Sequence, residues 1–544
     1  MLGLMQQQKL LLSSIIQYAA RWHPAGEVVS RMSESVVHRT DYATVERRSR
    51  RLARVLERLG VRLGDRVATM AWNSYRHLEC YFAVPCTGRL LHTLNPRLPS
   101  SDLEFIIEDA RDQVILVDPD LLPVLERVQS ALGGVRHLIV LGDEVPTSSL
   151  PNLISYEELI GGQPTTYPQP QIPEETALGI CYTSGTSGRP KGVVYTHRST
   201  FLHALASTSG AGTGLGPGDC SLPIVPMFHV NAWGAPYAAT LVGAKQVFTG
   251  RHLDAATIVS LIEEEQVTHT SGVPTIWANV ADELARRGSR LPSLRFLSAG
   301  GSQPPRSLIE RYRREFGITM LQGWGMTETS PVASLAWPKH KMRDWDPDRL
   351  LQEVGSQAGL PLPGIDILIV DEQGAEVPAD GHSMGELLVR GPWVAASYVG
   401  GRSPEQFAKD GWFKTGDVAV ATPEGYFAVV DRTKDLIKSG GEWISSVDME
   451  GQLMGMEGVM EAAVIAIPDP KWQERPLAVI TLRPGAELAL ETVRSYLLTS
   501  GWASWQLPDR IEIVETLPKT SVGKFDKKVL RQRFAGAPPS AVPE

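Results

Sequence analysis

The 544-residue sequence predicts an α/β protein in two unequal parts: a large N-terminal region of α/β layers with a small β-barrel, then a small α+β C-terminal domain. Three patterns predict it. Strand-like apolar runs alternate with helical spacings over the first half, short strands punctuated by Gly and Pro follow over 354–430, and residues 432–544 mix both kinds. Alternating strands and helices build parallel sheets through crossover helices, whereas short strands with turns favour a barrel or a small sheet.

In chain order, apolar side chains at Val45, Leu52, Val55, Leu56 and Leu59 give a helical spacing from Tyr42, which Gly60 ends. Gly64-Asp65 turns the chain into an apolar strand from Val67 to Trp72, and similar strands are expected at Val114–Val117 and Leu138–Leu141. Pro146 to Pro173, rich in Pro, Thr, Gln and Gly, reads as a surface connection before a strand at Ala177–Cys181. The short strands of the middle are Ile365–Val370, Gly385–Val389 and Tyr426–Val430. Beyond a join near Asp431–Asp435 come strands at Ala463–Ile467, Leu477–Leu482 and Arg510–Val514, with a helix near Glu491–Leu498. The expected division is 1–431 and 432–544.

Composition narrows the function. At 42% hydrophobic and 21% charged residues the chain buries a large core, which excludes a disordered or fibrous protein. A net charge of −8 argues against general nucleic-acid binding, so any anionic ligand is held by a local site. Cys80, Cys86, Cys181 and Cys220 form no CxxC and no metal-ligand spacing, as reduced core thiols of a cytoplasmic protein would. The apolar run Leu10–Leu12 is too short for a leader, and no stretch reaches the 18 apolar residues of a transmembrane helix.

Tyr182-Thr-Ser-Gly-Thr-Ser-Gly-Arg-Pro-Lys-Gly192 follows directly on an expected strand. Glycine lets backbone amides turn inward, and hydroxyls plus a lysine add donors, which suits a polyphosphate. Pro190 stands where a Walker A loop has Gly, and no Lys-Ser/Thr pair follows. On composition alone a flexible surface turn explains the segment equally well.

The segment does not stand alone. It resembles the signature of the adenylate-forming superfamily: acyl-CoA synthetases, luciferases and peptide-synthetase adenylation domains. Gln322-Gly-Trp-Gly-Met-Thr-Glu-Thr-Ser-Pro331 looks like a second family signature, Trp412-Phe-Lys-Thr-Gly-Asp417 like its ribose-binding segment and Asp431-Arg-Thr-Lys-Asp-Leu-Ile-Lys438 like its hinge. Pro518-Lys-Thr-Ser-Val-Gly-Lys524 resembles its catalytic-lysine loop, and Leu59 to Val67 an N-terminal family pattern. The resemblance implies two steps: a carboxylate attacks the α-phosphorus of ATP to give an acyl-adenylate and pyrophosphate, then a thiol takes the acyl group and AMP leaves. It also implies a mobile C-terminal domain.

Residue by residue, the resemblance implies that Thr183, Ser184, Gly185, Thr186, Ser187, Gly188 and Lys191 hold the phosphates, with Glu328 and Thr183 serving Mg²⁺. Gly300, Gly301 and Ser302 would wall the adenine together with Gln322, Gly323, Trp324, Gly325 and Thr327. Asp417 would accept the ribose hydroxyls, with Arg432 reaching ribose or phosphate. Lys524 would sit between carboxylate and α-phosphate as the catalytic ammonium. Lys434 takes the hinge position, while Lys438, Gly440, Gly441, Glu442 and Trp443 belong to a second face brought in for the thiol.

Pro226-Met-Phe-His-Val-Asn-Ala-Trp-Gly234 resembles the segment lining the acyl pocket, with His229, Trp233 and Gly301 as pocket residues. His229 stands where amino-acid-activating relatives carry Asp, and a buried ammonium without a partner is costly, so an amino acid is a poor substrate. His229 is also expected to gate the carboxylate end. Trp233 and Trp324, if both line the pocket, shorten it and favour a short- or medium-chain acid, as in medium-chain fatty-acid and methylmercaptopropionate ligases. Too little chain follows the last motif for a fused carrier domain, so free CoA is the expected thiol, with a separate acyl carrier protein behind it. A luciferase-like oxygenase, an ADP-releasing ATPase or kinase, and a non-catalytic nucleotide-binding scaffold are the rivals. A homodimer stays open.

Overall fold

The computed structural model describes residues 3–183, 189–440, 442–520 and 524–534. Among them the strands form sheets of nine, seven, five and four strands. The seven-stranded sheet runs Leu153–Ser155, His137–Val140, Asp112–Val117, Arg66–Met70, Leu90–Thr93, Ala177–Thr183 and Lys191–Thr196, parallel except for its last pair. Its central strands read as unbroken apolar runs because both faces are covered. Val67, Val114 and Leu116 share a core with Val45, Leu52, Val55 and Leu56 of the helix Tyr42–Arg58. Ala68, Ile115 and Val117 pack on the other side against Leu103, Ile106 and Ile107 of the helix Ser100–Ala110. The first helix, Leu12–Trp22, buries Leu12, Ile15, Ile16 and Ala19, which makes the N-terminal apolar run part of the core.

The stretch expected to be a surface connection, Pro146 to Pro173, holds more than that. Leu153–Ser155 forms an edge strand, and Ser155 caps the helix Tyr156–Ile160 by accepting from the Glu158 amide. Tyr156 is fully buried, its hydroxyl donating to Glu79 at 2.6 Å. The flanking Pro and Gln residues mask two elements too short to show a period.

In the nine-stranded sheet, Cys220–Pro223, His269–Gly272, Phe296–Ala299 and Met320–Gly325 lie side by side and parallel. One face packs on the helices Ala255–Glu265 and Pro274–Arg287. The short strands of the middle form an antiparallel sheet in sequence order: Asp366–Val370, Gly385–Arg390, Phe413–Ala421 and Phe427–Arg432. The C-terminal part has its own sheet around the hairpin Val459–Asp469/Gln473–Leu482, joined by the parallel strand Arg510–Ile513. Its core is separate, with Met449 and Leu453 of one helix and Val493 and Leu497 of another under Val464 and Ile480. The architecture is mixed α/β with a large N-terminal and a small C-terminal part. Among the described residues no helix is long and apolar enough to cross a membrane, and all four cysteines are buried and free.

Candidate active site

A single cavity of about 1550 Å³ collects most of the residues singled out above. Its walls come from the C-terminal ends of strands in both large sheets, from the small antiparallel sheet, and from the loop and helix that carry Lys524 and Lys527. Strand ends leave backbone groups and glycines facing a crevice, the usual place for a ligand in open α/β sheets.

The strands that flank the hydroxyl-rich segment pair antiparallel. Ala177–Thr183 pairs with Lys191–Thr196, and the last register pair, Thr183 opposite Lys191, stands at the cavity wall. Ser184, Gly185, Thr186, Ser187 and Gly188 lie outside the described residues, as does Gly441. Lys191 donates to Gln406 Oε1 at 2.9 Å, and its ammonium lies 5.0 Å from the Tyr398 ring centroid.

The strand Met320–Gly325 runs into the short 3₁₀ turn Thr327–Thr329. That turn buries Glu328, whose Oε1 accepts the Tyr398 hydroxyl at 2.5 Å. Burial raises the Glu328 pKa, and the Tyr398 hydrogen bond opposes the shift. A buried carboxylate in this state favours a neighbouring cation. Thr327 lends its carbonyl to Tyr195. Gly325 is required by close packing: a Cβ there would fall 1.9 Å from the Pro331 carbonyl oxygen. Gln322 is 5% exposed, lines the cavity, and its Oε1 has no hydrogen-bond partner.

Asp417 and Arg432 are register partners on neighbouring strands, Asp417 Oδ1 lying 2.6 Å from Arg432 Nε. Asp417 Oδ2 accepts the Trp324 indole N–H at 3.0 Å, and the Asp417 amide donates to Thr415 Oγ1. Each carboxylate oxygen keeps a further lone pair for a ligand. Trp324 therefore lines the cavity on the Asp417 side, and the pocket-shortening expected if both tryptophans lined the acyl side falls to Trp233 alone. The Trp324 indole also packs edge-on to Phe427.

Trp233 takes the other wall. A Cβ at Gly300 would lie 2.9 Å from its ring and 3.0 Å from the Gly323 carbonyl oxygen, so only glycine lets the ring approach so closely there. Val230, Asn231, Ala232 and Trp233 all have φ between 46° and 57°, a left-handed turn completed by Gly234. Such backbone is costly for residues other than glycine and asparagine, and surrounding packing holds it here. His229 precedes the turn. Burial first, then Lys524 and Arg97, lower its pKa to about 4, so its imidazole is neutral at pH 7.

Lys524 enters the cavity beside Gly301, which has φ +82°, and its Cε lies 3.9 Å from where a Cβ on that glycine would be. The residue is accessible through the open cavity, yet protein crowds the ammonium. Burial and then Arg432 lower its pKa to about 8, with Asp417 and Glu328 opposing. The Thr520 amide donates to the Lys524 carbonyl, and the Lys524 amide donates to Thr520 Oγ1. Ser302 and Lys434 also line the cavity, and burial lowers the Lys434 pKa.

Lys438, Gly440, Glu442 and Trp443 are not brought to this cavity. Lys438, Glu442 and Trp443 are exposed, with the Lys438 ammonium 5.2 Å from the Trp443 ring centroid. Gly440, at φ +62°, donates its amide to the Trp472 carbonyl. Several cavity residues carry no signal in the sequence, Tyr398 and Arg97 among them. Tyr398, the partner of Glu328, sits in no motif, and Arg97 approaches His229 from an unremarkable Asn-Pro-Arg run. Among the described residues no three His, Cys, Asp or Glu side chains cluster to hold a metal. Magnesium needs only one or two protein carboxylates beside phosphate oxygens and water, so Glu328 with Thr183 fits that ion.

Known proteins resemble this chain over nearly its whole length. Residues 17–399 match the family model "AMP-binding enzyme", and residues 448–524 match "AMP-binding enzyme C-terminal domain". The chain is 48% identical over 532 residues to a long-chain-fatty-acid–CoA ligase of Thermus thermophilus, covering 97% of this chain and 96% of that protein. It is 41% identical to a medium-chain-fatty-acid–CoA ligase of Ectopseudomonas oleovorans, with 98% of each chain covered. It is also 41% identical to a 3-methylmercaptopropionyl-CoA ligase of Ruegeria lacuscaerulensis, with 99% of each covered. Among solved structures, the anthranilate CoA ligase AuaEII in complex with anthranoyl-AMP superposes with a TM-score of 0.86 at 25% identity, over 97% of this chain and 98% of that one.

Proposed function

The chain belongs to the AMP-binding enzyme family, and from that premise we propose that it is an ATP-dependent acyl-CoA ligase for a short- or medium-chain carboxylic acid. The family reaction forms an acyl-adenylate and then transfers the acyl group to CoA. The observation that carries the site assignment is convergence: Thr183, Glu328, Asp417, Arg432 and Lys524 come from separate segments and line one cavity.

Joining a carboxylate to a triphosphate brings like charges together, so the site must cancel repulsion and fix geometry. Lys524 supplies a positive charge at Gly301, where carboxylate and α-phosphate would meet. Asp417, positioned by Trp324 and Arg432, receives the ribose hydroxyls. Gln322 Oε1 is a buried acceptor that the amino group of adenine would satisfy. Thr183, Lys191 and the segment 184–188 hold the phosphates. Glu328, oriented by Tyr398, holds Mg²⁺ with Thr183, and the bound ion would neutralise phosphate charge. Neutral His229 stands at the carboxylate end of the acyl side, and Trp233 on Gly300–Gly301 forms its wall. Lys434 is the pivot of a division at 431/432. Lys438, Gly440, Gly441, Glu442 and Trp443 form the face that serves CoA after the C-terminal domain turns. A cytoplasmic location and a homodimer complete the reading.

The test is AMP release from ATP and Mg²⁺ across carboxylates of graded length, with and without CoA. AMP that requires both acid and CoA is the expected result. Release of ADP, or nucleotide binding without turnover for any acid, would overturn it in favour of a kinase-like enzyme or a scaffold.

A further inference from the structure

Beyond Trp233 the cavity continues along one face of the nine-stranded sheet. Ser271 and Ser298 are register partners, so their side chains point to the same face, and both line the cavity. Two residues back on its strand, His269 faces the same way and also lines the cavity, its Nε2 lying 3.3 Å from Ser298 Oγ. Ser207, near the end of the helix His197–Thr208, contributes to the lining as well.

This end is closed. The chain after Ser207 folds back, with the Thr213 amide donating to the Ser207 carbonyl. Trp337 pins the same loop by donating to the Gly212 carbonyl at 2.7 Å. Trp337 then packs edge-on against Phe296, and Phe296 against the His269 ring.

The closed end is also polar and unsatisfied. His269 and Ser207 are 3% and 7% exposed, yet His269 Nδ1 and Ser207 Oγ have no hydrogen-bond partner. A purely apolar tail would leave both at the full cost of burial without a partner. Burial lowers the His269 pKa to about 4, so the imidazole is neutral and offers one donor and one acceptor.

We propose that the closed end of the cavity, at His269, Ser207 and Ser298, is a hydrogen-bonding subsite for a neutral hydroxyl or oxo group carried by the acid far from its carboxylate. A second carboxylate is disfavoured, because these three side chains offer no positive charge to pair with it. The register sets the reach. Four residues separate Phe296, beside His269, from Gly300, next to the point where Lys524 enters, a span of roughly 13 Å at strand rise. A zigzag of single C–C bonds covers that span in on the order of ten bonds, a chain of about ten to eleven carbons. The inference rests on the acyl-ligase reading and narrows its substrate class.

The experiment compares kcat/KM for CoA-dependent AMP release between ω-hydroxy acids and plain acids with the same number of heavy atoms, from about six to about twelve carbons. The hydroxy acid is expected to be favoured by about tenfold or more near the upper end of that range. His269→Leu and Ser207→Ala, made separately so that one folding failure does not decide the matter, each move that ratio toward the plain acid. AMP release with no preference at any length, as when water alone fills the site, overturns the subsite and leaves the ligase reading intact. No AMP from either series overturns the ligase reading, and the subsite with it.

Discussion

Two lysines of the C-terminal part stand in opposite circumstances. Lys524 projects into the cavity beside Gly301, crowded by protein and close to Arg432, with its pKa lowered to about 8. Lys438 lies on the outside, 5.2 Å from the Trp443 ring centroid and away from that cavity. The difference teaches that residues drawn from one small domain need not act together. Only one face of the C-terminal part meets the cavity, and the role proposed for the other requires a different arrangement.

Replacing the inner lysine gives the largest expected effect. Lys524→Ala should lower acyl-adenylate formation by about 10²- to 10³-fold, the scale of losing one donor at a developing charge. Transfer from supplied acyl-adenylate to CoA should persist. Single-turnover measurements of the two half-reactions check this, and equal losses in both would break the comparison.

A pH series sharpens it. The acting form of Lys524 is the ammonium, which is present below about pH 8 and lost above it. Adenylation should therefore fall about tenfold per pH unit on the alkaline side of that value. A plateau persisting to the ordinary lysine value of about 10.4 would show that the ammonium that acts is not held at the lowered value. The smallest effect belongs to the outer face. Trp443→Ala should weaken only the CoA step, by about tenfold, equivalent to about 1.4 kcal/mol. Isothermal or kinetic measurement of CoA dependence, with adenylation as the internal control, decides it.

The sequence made some of this legible and left some of it dark, for physical reasons. Unbroken apolar runs such as Val114–Val117 announced strands covered on both faces, and the order of the motifs announced the cavity's contributors. Pairing was not legible. Asp417 and Trp324 lie far apart in the chain, and nothing in an indole's size says which wall it will join. Tyr398 carries no signal at all, because a single tyrosine in Ala-Ala-Ser-Tyr is ordinary until the fold sets its hydroxyl on Glu328. Leu153–Ser155 was hidden by the Pro and Gln around it. His269 stayed invisible because a buried strand reads the same whether its face meets a core or a channel.

The four cysteines gain a meaning from the chemistry proposed for their surroundings. A thioester is a standing target for any thiolate nearby, and a protein that makes one risks acylating itself. Cys80, Cys86, Cys181 and Cys220 are all buried, and burial pushes each thiol's pKa up. Held as neutral thiols out of reach, they are poor nucleophiles. Under the proposed reaction the thioester leaves without meeting a thiolate from these four cysteines.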